Sequence, residues 1–143
     1  MYNLTRGEGF GRPILEFTQA KKPIIISGWS GHVDFLEAEY TSLIPGELKN
    51  VHPSAQVQNM ILAESQWFSP DMSVATQHLK NVYEKYNKYE EMAKRQSHIC
   101  KTKFSFDEMK KLLSIYVDKI PKQVGLQLPQ LKKIELPKLK KVD

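Results

Sequence analysis

Two carboxylates near the start of the chain, Glu8 and Glu16, are separated by seven residues. Between positions 7 and 11 every second residue is glycine, and residues without a Cβ allow a ligand to approach the main chain closely. Pro13 is favoured in the first turn of a helix, so the glycine loop is predicted to run directly into a helix start. Free N–H groups at such a junction suit a phosphate or a sugar hydroxyl. The spacing therefore predicts a binding site with Glu8 on the loop and Glu16 one turn into the helix.

The segment from Glu8 to Glu16 resembles the E-x7-E motif of retaining, GT-B-type glycosyltransferases, which use nucleotide sugars. The continuation from Lys22 to Leu36 is similar to the next strand and loop of that family, and residues 67–71 are similar to the end of the same domain. The resemblance implies an α/β fold. It would be a partial Rossmann-like C-terminal half of a GT-B enzyme, followed by C-terminal helices and an extended basic tail.

The resemblance also implies roles for the residues of the motif. Glu8 is expected to act at the catalytic centre by binding hydroxyls of the transferred sugar, and Glu16 to bind the ribose of the nucleotide. The main chain between them is expected to hold the sugar and the diphosphate, with donor-binding contacts from Gly9, Phe10, Gly11 and Arg12. The nucleotide sugar is then a substrate, and neither a cofactor nor a metal is expected.

The 143 residues are enough for one domain, whereas GT-B enzymes have two. We expect residues 1–119 to form a partial nucleotide-sugar-binding domain, the last portion of a longer enzyme. The acceptor domain and a basic pair that the family uses on the diphosphate would lie in missing upstream polypeptide. Alone, the chain is expected to transfer no sugar at a useful rate. Two alternatives remain: a non-catalytic interaction module whose basic tail binds a protein, and a truncated reading frame without independent function.

Residues 120–143 form the tail, in which one octad occurs twice, starting at Leu128 and Leu136. A proline in each octad prevents a continuous helix. Six lysines against two acidic residues give this tail a net charge of +4 out of a total of +5. Because the basic charge is concentrated in the tail, we expect no nucleic-acid-binding fold. The tail is expected to be mobile, to bind a protein partner, or to bind an anionic membrane surface, although it has no aromatic anchors.

Cysteine and histidine usage gives no sign of a disulfide or a metal centre. Cys100 is the single cysteine, and we expect it to pack as a small apolar residue on a helix. The four histidines show no ligand spacing. The sequence has no apolar run of transmembrane length and no signal peptide, so a cytoplasmic location is expected.

The first half of the chain is predicted to alternate between strands and short helices. A helix is expected from Pro13 to about Ala20. Lys21 follows it, near the position where most relatives have a glycine that ends the helix. The run Ile24–Ile26 is typical of a central parallel strand, which needs neighbours on both sides. We expect the strands that would precede the motif to be missing. An edge strand is expected at residues 42–44, and a loop with a few extended residues from 45 to about 66.

The second half is predicted to be helical. Apolar residues recur at helical spacing behind Asp71, with Ser69 or Asp71 as the N-terminal cap. A second helix is expected from about Glu90 to Lys101. A third begins with Ser105 as its cap, and its apolar stripe is expected to lie partly exposed because the other domain is missing.

Overall fold

The computed structural model describes residues 1–120, and the predicted tail from Pro121 onward lies outside these residues. The described chain is a mixed α/β structure with a small parallel sheet, an antiparallel ribbon and four α-helices. In chain order the elements are β1 (Tyr2–Asn3), α1 (Arg12–Thr18), β2 (Ile25–Ser27), β3 (Ser42–Ile44), β4 (Gly46–Asn50), β5 (Gln66–Pro70), α2 (Met72–Glu84), α3 (Tyr86–Lys103) and α4 (Phe106–Asp118), with 3-10 helices at Gly31–Asp34 and Pro53–Ala55.

The parallel sheet has the order β1-β2-β3. Ile25 of β2 pairs with Tyr2 on one side and with Ser42 on the other. The predictions of a central parallel strand and of an edge strand at residues 42–44 are therefore confirmed. The expectation that β2 lacks a neighbour on the side of the motif is wrong, because the two residues of β1 supply it.

Side-chain alternation along β2 explains why its run is apolar on both faces. Ile26 is fully buried in a cluster with Ile14 of α1 and Cys100 of α3, whereas Ile25 packs with Ile44 and Ala75 on the other face. Helices α1 and α3 thus cover one face of the sheet, and α2 covers the other. Complete burial of one such isoleucine side chain contributes about 1.5–3 kcal/mol. The prediction that Cys100 packs as an apolar residue on a helix is confirmed.

Helix α1 ends at Thr18, two residues before the predicted end, and the chain then turns through Lys21. Lys21 has φ of 54°, a left-handed conformation that disfavours residues with a Cβ. This lysine therefore makes the exit turn that glycine would make without steric strain.

Replacing Lys21 with glycine is expected to stabilise the protein by up to about 1 kcal/mol, because the relieved Cβ strain exceeds the added chain entropy of glycine. The side chain of Lys21 is exposed, so little packing is lost. The urea midpoint measures the change. Lys21→Ala is the control, since it keeps the Cβ and should not stabilise; equal stabilisation by both variants would contradict the strain argument.

The segment from residue 45 to about 66, predicted as a loop with a few extended residues, has its extended residues at the start, where they form a paired strand that was not predicted. Gly46–Asn50 forms β4, which pairs antiparallel with β5 from Gly46↔Pro70 to Asn50↔Gln66. Every residue of β4 is exposed, and its polar residues have low strand propensity, so its local sequence does not indicate a strand. Pairing with β5, whose Phe68 is buried, holds β4 in place.

The start of the helical half follows the prediction. Asp71 is the N-terminal cap of α2, and its carboxylate accepts hydrogen bonds from the Ser73 hydroxyl and from the backbone N–H groups of Ser73 and Val74. These bonds, that from the Ser73 hydroxyl first, lower the pKa of Asp71. Helix α3 begins at Tyr86, earlier than predicted, after a break at Lys85. Within residues 1–120 no helix has the length and apolar character needed to cross a membrane.

Candidate functional site

The glycine loop and the loop at residues 28–30 lie at one edge of the parallel sheet. The glycine loop joins the carboxyl end of β1 to α1, and the loop Gly28–Ser30 leaves the carboxyl end of the neighbouring strand β2. Open α/β sheets bind ligands at the carboxyl ends of their strands. The fold therefore places the predicted motif where such sheets bind ligands.

Hydrogen bonds fasten these two loops to each other. The Oγ of Ser30 accepts from the N–H of Glu8 at 2.9 Å and donates to its carbonyl oxygen at 2.6 Å. The N–H of Gly31 donates to the same carbonyl oxygen at 3.1 Å. Ser30 has φ of 87°, a strained angle for a residue with a Cβ. The main chain of Glu8 is thus fixed by a strained residue from the second loop.

Glycine is required where the loops approach each other. A Cβ at Gly31 would lie 1.8 Å from the carbonyl oxygen of Gly9. Gly11 has φ of 81° at the start of α1, and a Cβ there would lie 3.0 Å from the His32 Cβ. Gly9 itself has open space where a Cβ would be. Two of these glycines therefore permit the close packing that shapes the loop.

The main chain between the two glutamates offers unengaged donors. Within residues 1–120, the backbone N–H groups of residues 9–12 donate no hydrogen bond to the protein, whereas those of Ile14 and Leu15 donate to the carbonyl oxygen of Gly11. No side chain caps α1. The groups in question belong to Gly9, Phe10, Gly11 and Arg12. These are the four residues for which main-chain contacts were predicted; Gly9, Phe10 and Arg12 are exposed, whereas Gly11 is buried.

The carboxylates differ in their surroundings. Glu8 is half-buried on the loop, whereas Glu16 lies on α1, where its Oε1 is 3.0 Å from the Nε of Arg12. In this ion pair the side chain of Arg12 is 83% exposed and that of Glu16 is 64% exposed. Exposed ion pairs contribute about 0–1 kcal/mol. A ligand can therefore displace Arg12 from Glu16 at small energetic cost.

Aromatic side chains anchor the loops to the rest of the fold. Phe10 packs with ring centroids 5.2 Å from Phe35 and 6.4 Å from Phe104, so its side chain ties the glycine loop to the core. Trp29 stacks on Phe68 of β5 with a centroid distance of 5.8 Å and remains 38% exposed. The indole thus packs on the ribbon and still presents part of its surface beside the site.

Behind the loops lies His32, whose side chain is fully buried. Its Nε2 is 2.6 Å from the carbonyl oxygen of Ser27, and because a carbonyl only accepts, Nε2 carries the hydrogen. This bond joins the 3-10 helix to the end of β2. His32 therefore supports the site from behind and is not exposed to a ligand.

Sequence reasoning missed the roles of Ser30 and Gly31. Both contact Glu8 across more than twenty positions, and a single sequence carries no signal for such a contact.

A surface depression of about 480 Å³ lies elsewhere, between β4 and the start of α2, and its lining includes no residue of the motif. Residues 1–120 contain no group of three or more His, Cys, Asp or Glu side chains placed to hold a metal ion.

No family model, no curated protein and no solved structure matches the chain. The chemistry of the site is therefore inferred from its residues. Acidic groups lie at both ends of the motif, and free N–H groups lie between them. This combination suits a ligand that carries an anionic centre between two groups rich in hydroxyls.

Proposed function

We propose that the chain is the donor-binding portion of a retaining glycosyltransferase of the GT-B type, which takes its sugar from a nucleotide-sugar donor. The observation that carries the proposal is the position of the E-x7-E segment. It connects β1 to α1 at the carboxyl edge of a parallel sheet, and the N–H groups of its residues 9–12 donate to no acceptor within residues 1–120. The connection of two adjacent parallel strands through α1, with helices on both faces of the sheet, supports a Rossmann-like half-domain.

In this proposal the two glutamates bind the two ends of the donor. Glu8 accepts hydrogen bonds from sugar hydroxyls, and the bonds from Ser30 and Gly31 hold its main chain in register. Glu16 exchanges its exposed contact with Arg12 for the hydroxyls of the ribose. Charge-assisted hydrogen bonds of this kind contribute about 1.5–3 kcal/mol each.

The main chain between the glutamates acts on the diphosphate. When the bond between sugar and diphosphate breaks, negative charge develops on the leaving phosphate oxygens. Backbone N–H groups held beside these oxygens would stabilise the charge without reorganisation. Residues 1–120 present no group that we assign as a base or a nucleophile. The acceptor would come from a second domain.

Binding of a nucleotide sugar is expected to be weak and to depend on Glu16. Saturation-transfer NMR with a panel of UDP-, GDP- and ADP-sugars measures it. At least one donor should show transfer to its ribose and sugar protons. Glu16→Ala should weaken its binding by roughly 10- to 100-fold, since it removes a charged hydrogen-bond acceptor.

A matched control is Glu64→Ala, because Glu64 is an exposed glutamate in the chain between β4 and β5, outside the motif. This variant should bind the donor as the unchanged protein does. The proposal is wrong if no donor of the panel gives saturation transfer, or if the two variants lose binding equally.

A further inference from the structure

Helix α4 makes almost no contact with the rest of the described chain. None of its thirteen residues is buried, and neither hydrophobic cluster of the body includes any of them. Its N-terminal cap is formed, since the Oγ of Ser105 accepts from the N–H of Glu108 at 3.3 Å. Isolated helices of fewer than about 12–15 residues are only marginally stable in water. Within residues 1–120, therefore, no element buries the apolar residues of α4.

The apolar residues of this helix lie together on one side. At 100° per residue they occupy a sector of about 140° around the helix axis, wide enough for a buried helix face. We call this surface the α4 apolar sector, and it consists of Phe106, Met109, Leu112, Leu113, Tyr116 and Val117 on the helix and Ile120 just beyond it. Ile115 is also exposed, but it lies outside the sector on the opposite side.

The charges around the α4 apolar sector are arranged by sign. Lys110 and Lys119 lie at its two edges, where long side chains extend away from an apolar surface toward charged groups. Asp107 and Asp118 lie on the far side of the helix. Glu108, near one edge, is paired with Lys111, whose Nζ lies 2.6 Å from its Oε1. The groups that border the apolar surface most closely are therefore cationic.

Cationic charge also continues along the chain. Residues 121–143 follow the helix directly and carry a net charge of +4, whereas the rest of the protein carries only +1. Residues 121–143 contain no aromatic side chain, whereas α4 has two aromatic residues. Phe106 is 82% exposed at one end of the sector, and Tyr116 is 59% exposed near the other.

We propose that α4 lies on the surface of an anionic lipid bilayer, with its apolar sector in the interface and the following lysines against the headgroups. An amphipathic helix joined to a polybasic segment combines the two signals that stable peripheral binding requires. A second copy of the chain fits less well as the occupant. Two heptads are fewer than the three to four that a coiled coil needs, and two tails of equal charge repel each other. The proposal is independent of the donor site.

The test measures co-sedimentation of the full chain with vesicles of phosphatidylcholine, prepared with and without phosphatidylserine. We expect binding to the phosphatidylserine vesicles to be stronger by about tenfold or more, and to weaken as salt is raised. Replacing four lysines of the tail by glutamine should remove most of this preference. The four are Lys132, Lys133, Lys140 and Lys141.

Two variants of α4 separate the sector from the rest of the helix. Leu113→Glu places a charge in the middle of the sector and should weaken binding to both kinds of vesicle by about tenfold or more. Ile115→Glu is the matched control, because Ile115 is similarly exposed (53% against 63% for Leu113) but lies on the opposite side. It should bind as the unchanged protein does. Circular dichroism verifies that both variants keep their helices.

Three results would overturn the proposal. One is an absence of sedimentation with either kind of vesicle. Another is equal loss of binding in Leu113→Glu and Ile115→Glu when both remain folded. The third is a concentration-dependent dimer of the unchanged protein that Leu113→Glu dissociates, when neither protein binds vesicles. A second copy of the chain would then cover the sector.

Discussion

Replacing Gly31 with alanine is expected to lower the free energy of unfolding by on the order of 3 kcal/mol, at the upper end of what overpacking usually costs. The added Cβ would lie 1.8 Å from the carbonyl oxygen and 2.6 Å from the carbonyl carbon of Gly9. Both atoms belong to the main chain, so no side-chain rotation relieves the contact. The two loops must separate, and the hydrogen bond from the Gly31 N–H to Glu8 is lost with them.

Thermal unfolding measures this effect as a fall in Tm on the order of 10 °C. The same variant is expected to lose donor binding, because Glu8 is no longer held beside the second loop. Gly9→Ala is the matched control: it adds the same methyl group to the facing loop, where no heavy atom lies within 4 Å. Unchanged stability of Gly31→Ala, or an equal loss of stability in Gly31→Ala and Gly9→Ala, would show that the close approach of the loops does not limit stability.

This pair of glycines illustrates what the sequence allows one to predict about the site. The alternating glycines and Pro13 are local signals, and they indicated a loop followed by a helix, as the structure has it. Gly31 has no comparable signal, because its constraint comes from Gly9 in another loop. A residue whose role depends on a distant main-chain atom is visible only once the fold is known.

The same distinction applies to the secondary structure. The run Ile24–Ile26 indicated a buried central strand because burial on both faces imposes an apolar residue at every position. Strand β4 is exposed along its whole length, so burial imposes no pattern on it, and only its pairing with β5 defines it. The helix caps at Asp71 and Ser105 were predictable because a cap is a local hydrogen bond.

Replacing Gln96 with leucine is expected to destabilise the protein by about 3 kcal/mol, although the two side chains have similar size. Gln96 is buried on α3. Its Oε1 accepts from the N–H of Glu37 at 2.9 Å, and its Nε2 donates to the carbonyl oxygen of Phe35 at 2.7 Å. Leucine leaves the Glu37 N–H without this acceptor and leaves the Phe35 carbonyl oxygen with the weak donor Cys100 Sγ, 3.6 Å away. Both backbone groups belong to the segment that leads from the site loop to β3.

Urea unfolding of Gln96→Leu measures this loss. Gln77→Leu is the control, because the Gln77 side chain bonds to Asn81 on the exposed surface of α2. This substitution should change stability by no more than about 0.5 kcal/mol. Comparable effects of the two substitutions would contradict the importance of the buried amide.

The variant Gln96→Glu separates the donor function of this amide from its acceptor function. Its carboxylate still accepts from the N–H of Glu37 but, when ionised, turns an oxygen toward the carbonyl oxygen of Phe35. Burial raises the pKa of a carboxyl group, and the protonated acid restores a donor at this position. The variant should therefore be much less stable than the unchanged protein at neutral pH. The difference should shrink as the pH falls toward the ordinary glutamate pKa of about 4.3. If the stability difference between the variant and the unchanged protein is the same at neutral pH and near the ordinary glutamate pKa, the donor toward Phe35 does not hold the segment in place.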